Sequence, residues 1–154
     1  MTPAHLHLML NHIPILGPLL VLVLVAWGLW RRDWSYTRLA LILVVFIGVV
    51  SIPVYVSGEP AEHAVESRRP LAESTVEAHE EAAGWAFTGL EGVAVFAAAL
   101  LWRGRNRQVP SRVVVIAFFA ATLVVTAVTA RAAYLGGQIT HTELTPPASV
   151  SSLP

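Results

Sequence analysis

The chain has 154 residues, no cysteine and a formal net charge of zero, and 55% of its residues are hydrophobic while only 13% are charged. This composition is far from that of soluble domains and indicates a membrane protein of one domain. The neutral charge disfavours nucleic acid as a partner, and the lack of cysteine excludes disulfides, thiolate-bound iron–sulfur clusters and covalently attached c-type haem.

Four apolar runs follow one another along the chain, and each is close to the roughly 20 residues that a helix needs to cross about 30 Å of hydrocarbon. They cover residues 13–30, 39–57, 82–102 and 113–135. The first run is long and lacks both a basic segment before it and a small-residue cleavage site after it, so we predict a retained span. The sequence therefore predicts an all-α bundle of four transmembrane helices over 1–144 and a disordered Pro- and Ser-rich tail over 145–154.

The segment before the first run is rich in histidine, with His5, His7 and His12. Thr2 followed by Pro3 has the pattern of an N-cap with proline at the first helical position, which predicts a helix that begins before the membrane does. Pro14 and Pro18 predict a bend beside His12. In a straight helix, His5 and His12 share a face and His7 points nearly opposite.

Seven of the ten arginines lie in two of the three connections between the runs: Arg31, Arg32, Arg38, Arg103, Arg105, Arg107 and Arg112. By the positive-inside rule these connections face the cytoplasm, so both termini and the central loop lie outside. Nine of the ten acids, all but Asp33, are then in or open toward the outer half. All six histidines are predicted to lie on the same outer side: His5, His7, His12, His63, His79 and His141.

The outer loop between the second and third runs is predicted to contain a short amphipathic helix that Pro60 opens and Pro70 ends. Its polar side chains are Glu59, Glu62, His63 and Glu66. Ser74 and Glu77 have the spacing of a capping box, so we predict that the third long helix starts near Thr75, outside its apolar run.

Two charged residues, Glu91 and Arg131, lie within the last two runs. Glu91 is roughly 13 Å along its helix from Ala82, at about 1.5 Å per residue, and a carboxylate at that depth is costly unless it is protonated or paired. Three interpretations stay open: a pair with Arg131, a neutral acid hydrogen-bonded to a neighbouring hydroxyl, and a proton relay from the outer side. After the fourth run, Gly136 and Gly137 predict a helix stop that returns His141 over the mouth of the bundle.

Four segments in this order resemble an uncharacterised bacterial family of four-helix membrane proteins: HLMLNHIPILG, IPVYVSGEPAE, EAHEEA and YLGGQITH. The resemblance covers most of the chain up to Leu144 and leaves His5 and His63 outside the family pattern. Some relatives are joined to Rieske-type iron–sulfur domains, which implies an electron-transfer setting, although the family has no agreed activity. The resemblance maps motif positions onto His7, Asn11, His12, Glu59, His79, Glu80 and His141.

The chemistry that best accounts for histidines from separate segments at one membrane face is metal or haem ligation. Neutral imidazole is a common transition-metal ligand and an axial haem ligand, and bundles build cofactor sites from facing helices. The leading prediction is haem b, one or two, held by two histidines each among His7, His12, His79 and His141. Small-residue stripes on the third and fourth helices suit the macrocycle, and Arg131 and Tyr134 suit its propionates.

Carboxylates in the same region keep a second interpretation open, because mixed imidazole and carboxylate ligation suits non-haem iron, copper or zinc. The candidate ligands for such a site are His7, His12, His79, His141, Glu59 and Glu80. A third interpretation is a metal-free structural or pH-sensing membrane protein whose outer histidines protonate together near pH ~6.

No nucleophile constellation, phosphate loop or HExxH motif favours an enzyme. The predicted role is electron transfer between a quinone or other membrane partner and a redox protein on the outer side. The sequence leaves homo-oligomerisation open.

Overall fold

A computed structural model describes residues 3–67, 73–105 and 109–140 of the chain, and every regular element in these ranges is an α-helix. The predicted return of His141 over the bundle and the predicted disorder of 145–154 concern residues outside these ranges. The helices are α1 (Pro3–Leu10), α2 (His12–Arg31), α3 (Trp34–Val56), α4 (Gly58–Glu66), α5 (Glu73–Gly104) and α6 (Arg112–Thr140).

Four of these helices, α2, α3, α5 and α6, contain the four apolar runs and are long and apolar enough to cross a membrane. The prediction of an all-α bundle with four such helices is confirmed at this level. Between α3 and α5, the short helix α4 begins two residues before Pro60. Helix α5 begins at Glu73, close to the start predicted from the capping-box spacing.

A connection of two residues, Arg32 and Asp33, folds α2 and α3 into an antiparallel hairpin. Arg32 has a left-handed backbone conformation with φ 54°, and its N–H donates to the carbonyl of Gly28, which ends α2. The side chain of Asp33 accepts a hydrogen bond of 2.9 Å from the Ser35 N–H and caps α3. Both ends of the connection therefore satisfy backbone groups that a helix end leaves without partners.

The four long helices form a closed ring in which α2 packs on α3, α3 on α5, α5 on α6, and α6 on α2. Apolar side chains on the outside of the ring, such as Leu16, Val49 and Val124, are exposed, as expected for a surface that faces lipid. The interior is filled by side chains from all four helices, among them Val21, Val25, Leu41, Val44, Ile47, Leu90, Ala97 and Phe118.

At one end of the ring, α1 packs on α4 and α3. The chain is interrupted between α1 and α2 at Asn11, although its φ of −60° and ψ of −25° are helical. Pro14 has no N–H, so the carbonyl of Leu10 loses its usual donor, which accounts for an interruption here. The second proline, Pro18, lies inside α2 without ending it.

Gly48 lets α3 and α5 approach closely, because a Cβ at this position would lie 2.7 Å from the Ala94 Cβ. The Ala94 Cβ is fixed to its backbone, so Gly48→Ala must push the two helices apart. We expect Gly48→Ala to lower the free energy of unfolding in detergent by about 1–3 kcal/mol, the usual cost of overpacking.

Gly92 on α5 is the matched control, since a Cβ there would meet nothing within 4 Å. Gly92→Ala should keep or slightly raise stability, by up to about 1 kcal/mol from helix propensity. Stability is measured by denaturant titration in detergent. Equal destabilisation by both variants would mean that the contact between Gly48 and Ala94 does not set the distance between α3 and α5.

Candidate functional site

The ring of His7 is held by the end of α3. Its Nδ1 lies 3.0 Å from the carbonyl oxygen of Val54 and 3.5 Å from the Ser57 hydroxyl, and the side chain is half-buried. Val54 belongs to the last turn of α3, where helical carbonyls lack intrahelical donors and are available to side chains. A Cβ at Gly58 would make an ordinary van der Waals contact with the ring, 3.8 Å from the His7 Cε1.

The ring of His79 is held in the same manner by α6. Its Nδ1 lies 2.9 Å from the carbonyl oxygen of Ala132. In a regular helix that carbonyl already accepts the N–H of Gly136, four residues on, so the imidazole uses its second lone pair. Gly136 makes this approach possible, because a Cβ there would lie only 2.9 Å from the His79 Cε1.

These two contacts decide which ring nitrogen of each histidine carries the proton. A carbonyl oxygen can only accept, so Nδ1 donates its N–H in both His7 and His79, and in the neutral ring Nε2 then keeps its lone pair. Such a hydrogen bond from the distal nitrogen is the usual support of a histidine that ligates a metal. The structure therefore holds two of the four predicted histidines by the same kind of contact, one on α1 and one on α5.

The remaining predicted ligands are exposed or lie outside the described residues. His12 is exposed at the start of α2. Glu59 is exposed and lies 3.8 Å from the neighbouring His63 on α4. Glu80 is exposed on α5 and interacts electrostatically with Glu62. His141 lies outside the described residues. Within the described ranges, no group of three or more His, Cys, Asp or Glu side chains is close enough to hold a metal ion.

The two residues predicted to hold propionates, Arg131 and Tyr134, are exposed on the turn of α6 that carries Ala132. The Tyr134 hydroxyl accepts a hydrogen bond of 3.1 Å from the Gln138 amide. Both side chains are thus on the helix that anchors His79 and remain accessible from outside the bundle.

Gly136 and Gly137 do not stop the fourth long helix, which continues through them to Thr140. The predicted stop at this position is wrong. Gly136 is used for the close approach of the His79 ring, a role that the sequence did not indicate because it depends on a residue more than fifty positions away.

Asn11, one helical turn after His7, has a side-chain oxygen that is buried without a hydrogen-bond partner in the described part of the chain. A buried acceptor of this kind costs free energy unless a ligand, ion or water satisfies it. A cavity of about 460 Å³ lies elsewhere, on the lipid-facing side between α5 and α6, and it is lined by apolar residues such as Phe96 and Val125.

Glu91 lies against α3 rather than beside Arg131. Its Oε1 is 2.5 Å from the Ser51 hydroxyl oxygen, and the side chain is partly buried. Among the described residues, no ion pair joins Glu91 to Arg131, which is exposed. Of the interpretations left open by the sequence, the contact with a neighbouring hydroxyl is the one that the geometry supports.

Comparison with known proteins gives no family assignment: no family model, no curated protein and no solved structure matches the chain.

Proposed function

We propose that the protein is a redox protein of the bacterial inner membrane that binds haem b between His7 and His79, near the outer face. The observation that supports this most directly is the pair of hydrogen bonds from Nδ1 to the carbonyls of Val54 and Ala132, which leaves Nε2 of each ring for iron. Haem, when bound, would supply one-electron chemistry and most of the iron ligands itself, so two protein ligands would be enough.

Haem is favoured over a non-haem metal by the number of ligands. Structural and catalytic metal sites take three or four protein ligands, whereas haem iron takes one or two. The described residues contain no group of three candidate ligands, and His12, Glu59 and Glu80 are exposed. A non-haem site would need His141, or another residue beyond the described ranges, to complete it.

Other features of the site are also suited to haem. Gly136 opens the backbone beside His79, and the Asn11 oxygen is a buried acceptor without a partner one turn from His7. Arg131 and Tyr134 flank the turn that anchors His79 and can bind carboxylates of the ligand by charge-assisted and neutral hydrogen bonds. These residues would hold the haem in place and orient its polar edge toward water.

The location of the proposed site suggests which partners exchange electrons with it. A quinone in the bilayer can reach a site between membrane helices, and an acceptor protein can reach the outer face. Acidic residues near the histidine pair would attract a basic partner there, although rim charges govern association rate more than affinity. The acidic side chains in question are Glu59, Glu62, Glu66 and Glu80.

The test is an ultraviolet–visible spectrum of detergent-purified protein, oxidised and then reduced, with elemental analysis of the same sample. We expect the sharp reduced bands of six-coordinate low-spin haem b, and iron as the retained metal. Zinc or copper without visible haem bands would instead support the non-haem site. Protein that retains neither haem nor metal after expression with ample haem supply would contradict the proposal.

The orientation is tested separately by reporter fusions. Fusions after Arg32 and after Arg105 should report a cytoplasmic position, and a fusion after Ser67 should report an external one, because the arginine-rich connections resist translocation. An external signal from either arginine-rich connection would place the histidine pair on the cytoplasmic side.

A further inference from the structure

We infer that Glu91 is a proton-binding site within the bilayer, in which a neutral carboxylic acid donates its proton to the hydroxyl of Ser51. This inference concerns a different part of α5 from the histidine pair and does not depend on the cofactor proposed above.

The first argument is the number of protons available. The Ser51 hydroxyl oxygen is 2.8 Å from the carbonyl oxygen of Gly48 and 2.5 Å from Oε1 of Glu91. A hydroxyl has one proton and two acceptor lone pairs, and a carbonyl oxygen can only accept. If Ser51 donates to Gly48, the proton in the shorter contact must come from Glu91, which is then a carboxylic acid.

The second argument is the lack of a cation. The helices that pack extensively on α5 are α3 and α6. Their charged or titratable side chains are all exposed, and no ion pair with Glu91 occurs in the described ranges. An ionised carboxylate at membrane depth without a cation is costly, whereas a protonated one needs only hydrogen bonds. The side chains in question are Tyr36, Arg38, Tyr55, Arg112, Arg131 and Tyr134.

The third argument is the enclosure of the contact along the α3–α5 interface. On one side, Gly48 and Ala94 bring the backbones together, with 2.7 Å between Ala94 Cβ and a Cβ built on Gly48. On the other side, the rings of Tyr55 and Phe87 are stacked, with centroids 4.4 Å apart and planes 9° from parallel. Tyr55 and Phe87 are each four residues from the polar pair, one helical turn away. The carboxyl therefore lies between two close contacts of α3 with α5.

The proton on Glu91 can be observed directly by infrared spectroscopy of the protein in bilayers at neutral pH. We expect a C=O stretching band of a protonated carboxylic acid that moves in D₂O and is absent from Glu91→Gln. Ser51→Ala should keep this band at a different frequency, because the acid loses its hydrogen-bond acceptor. Glu77→Gln, which alters an exposed carboxyl on the same helix, should leave the band unchanged.

The inference is overturned if the wild-type protein has no such band, or if Glu91→Gln leaves it unchanged. Should Glu91→Gln fail to fold, Ser51→Ala decides the matter, since a band that does not move on removal of the hydroxyl would belong to another carboxyl. The infrared band of Glu91 is measured independently of haem content. A protein without haem can therefore still show the band, and a protein with haem can lack it.

Discussion

His7→Ala and His79→Ala are each expected to remove the low-spin haem spectrum from the purified protein. Each substitution removes one of the two Nε2 atoms that would hold the iron of the proposed haem. Loss of a supporting contact alone costs on the order of 10- to 100-fold in metal affinity, and loss of the ligand should cost more. The measurement is haem per protein, with the oxidised and reduced spectra of any haem that remains.

His63→Ala is the control for this pair, because His63 is exposed on α4 and contacts only carboxylates of its own helix among the groups that the structure describes. It should retain normal haem content. His12→Ala addresses a different point: the sequence predicts a ligand here, but the ring is exposed at the start of α2. Normal spectra from both His7→Ala and His79→Ala would show that the assigned ligands are wrong.

The sequence predicted the long helices well because their signal is local. An apolar run of about 20 residues is sufficient to indicate a span, and α5 begins at Glu73, two residues before the start predicted from the spacing of Ser74 and Glu77. Helical spacing also indicated how the histidines of α1 and of the start of α2 are oriented. His5 and His12 are exposed while His7 is half-buried against α3, as the seven-residue spacing of the first two indicates.

The partners of the functional side chains could not be predicted, since they depend on how helices distant in sequence are aligned. His79 reaches Ala132 because α5 and α6 have one particular register, and Glu91 reaches Ser51 through the register of α3 and α5. Neither register leaves a pattern within a single helix. The sequence accordingly left Glu91 with several candidate partners and indicated no role for the carbonyls of Val54 and Ala132.

Gly136 illustrates how the same residue supports opposite interpretations. Glycine after an apolar run commonly ends a helix, and this led to the predicted stop. In a bundle that spans a membrane, glycine also allows close approach of a neighbouring helix or side chain, at a modest cost in helix propensity. The two readings are distinguishable only when the position of His79 relative to α6 is known.

The close approach at Gly136 leads to the second prediction with a large expected effect. In Gly136→Ala, the new methyl group would lie 2.9 Å from Cε1 and 3.3 Å from Nδ1 of His79. The methyl group cannot rotate away, so the ring must move and give up its hydrogen bond to the Ala132 carbonyl. We expect haem affinity to fall on the order of 10- to 100-fold, as for the loss of a supporting contact, with an altered spectrum for the haem that remains.

Gly137→Ala is a closely matched control, because it makes the same change one residue further along α6, where a Cβ would meet nothing within 4 Å. Both variants replace a helical glycine by alanine and therefore gain the same helix propensity, up to about 1 kcal/mol. Any difference in haem content between them reports the contact with His79. Gly136→Ala should therefore bind haem more weakly than Gly137→Ala, and in the haem-free state it should be less stable only by the lost hydrogen bond of His79, about 0.5–1.5 kcal/mol. Equal haem affinity in the two variants, measured by haem titration of the purified apoproteins, would mean that the ring position set by Gly136 has no part in binding.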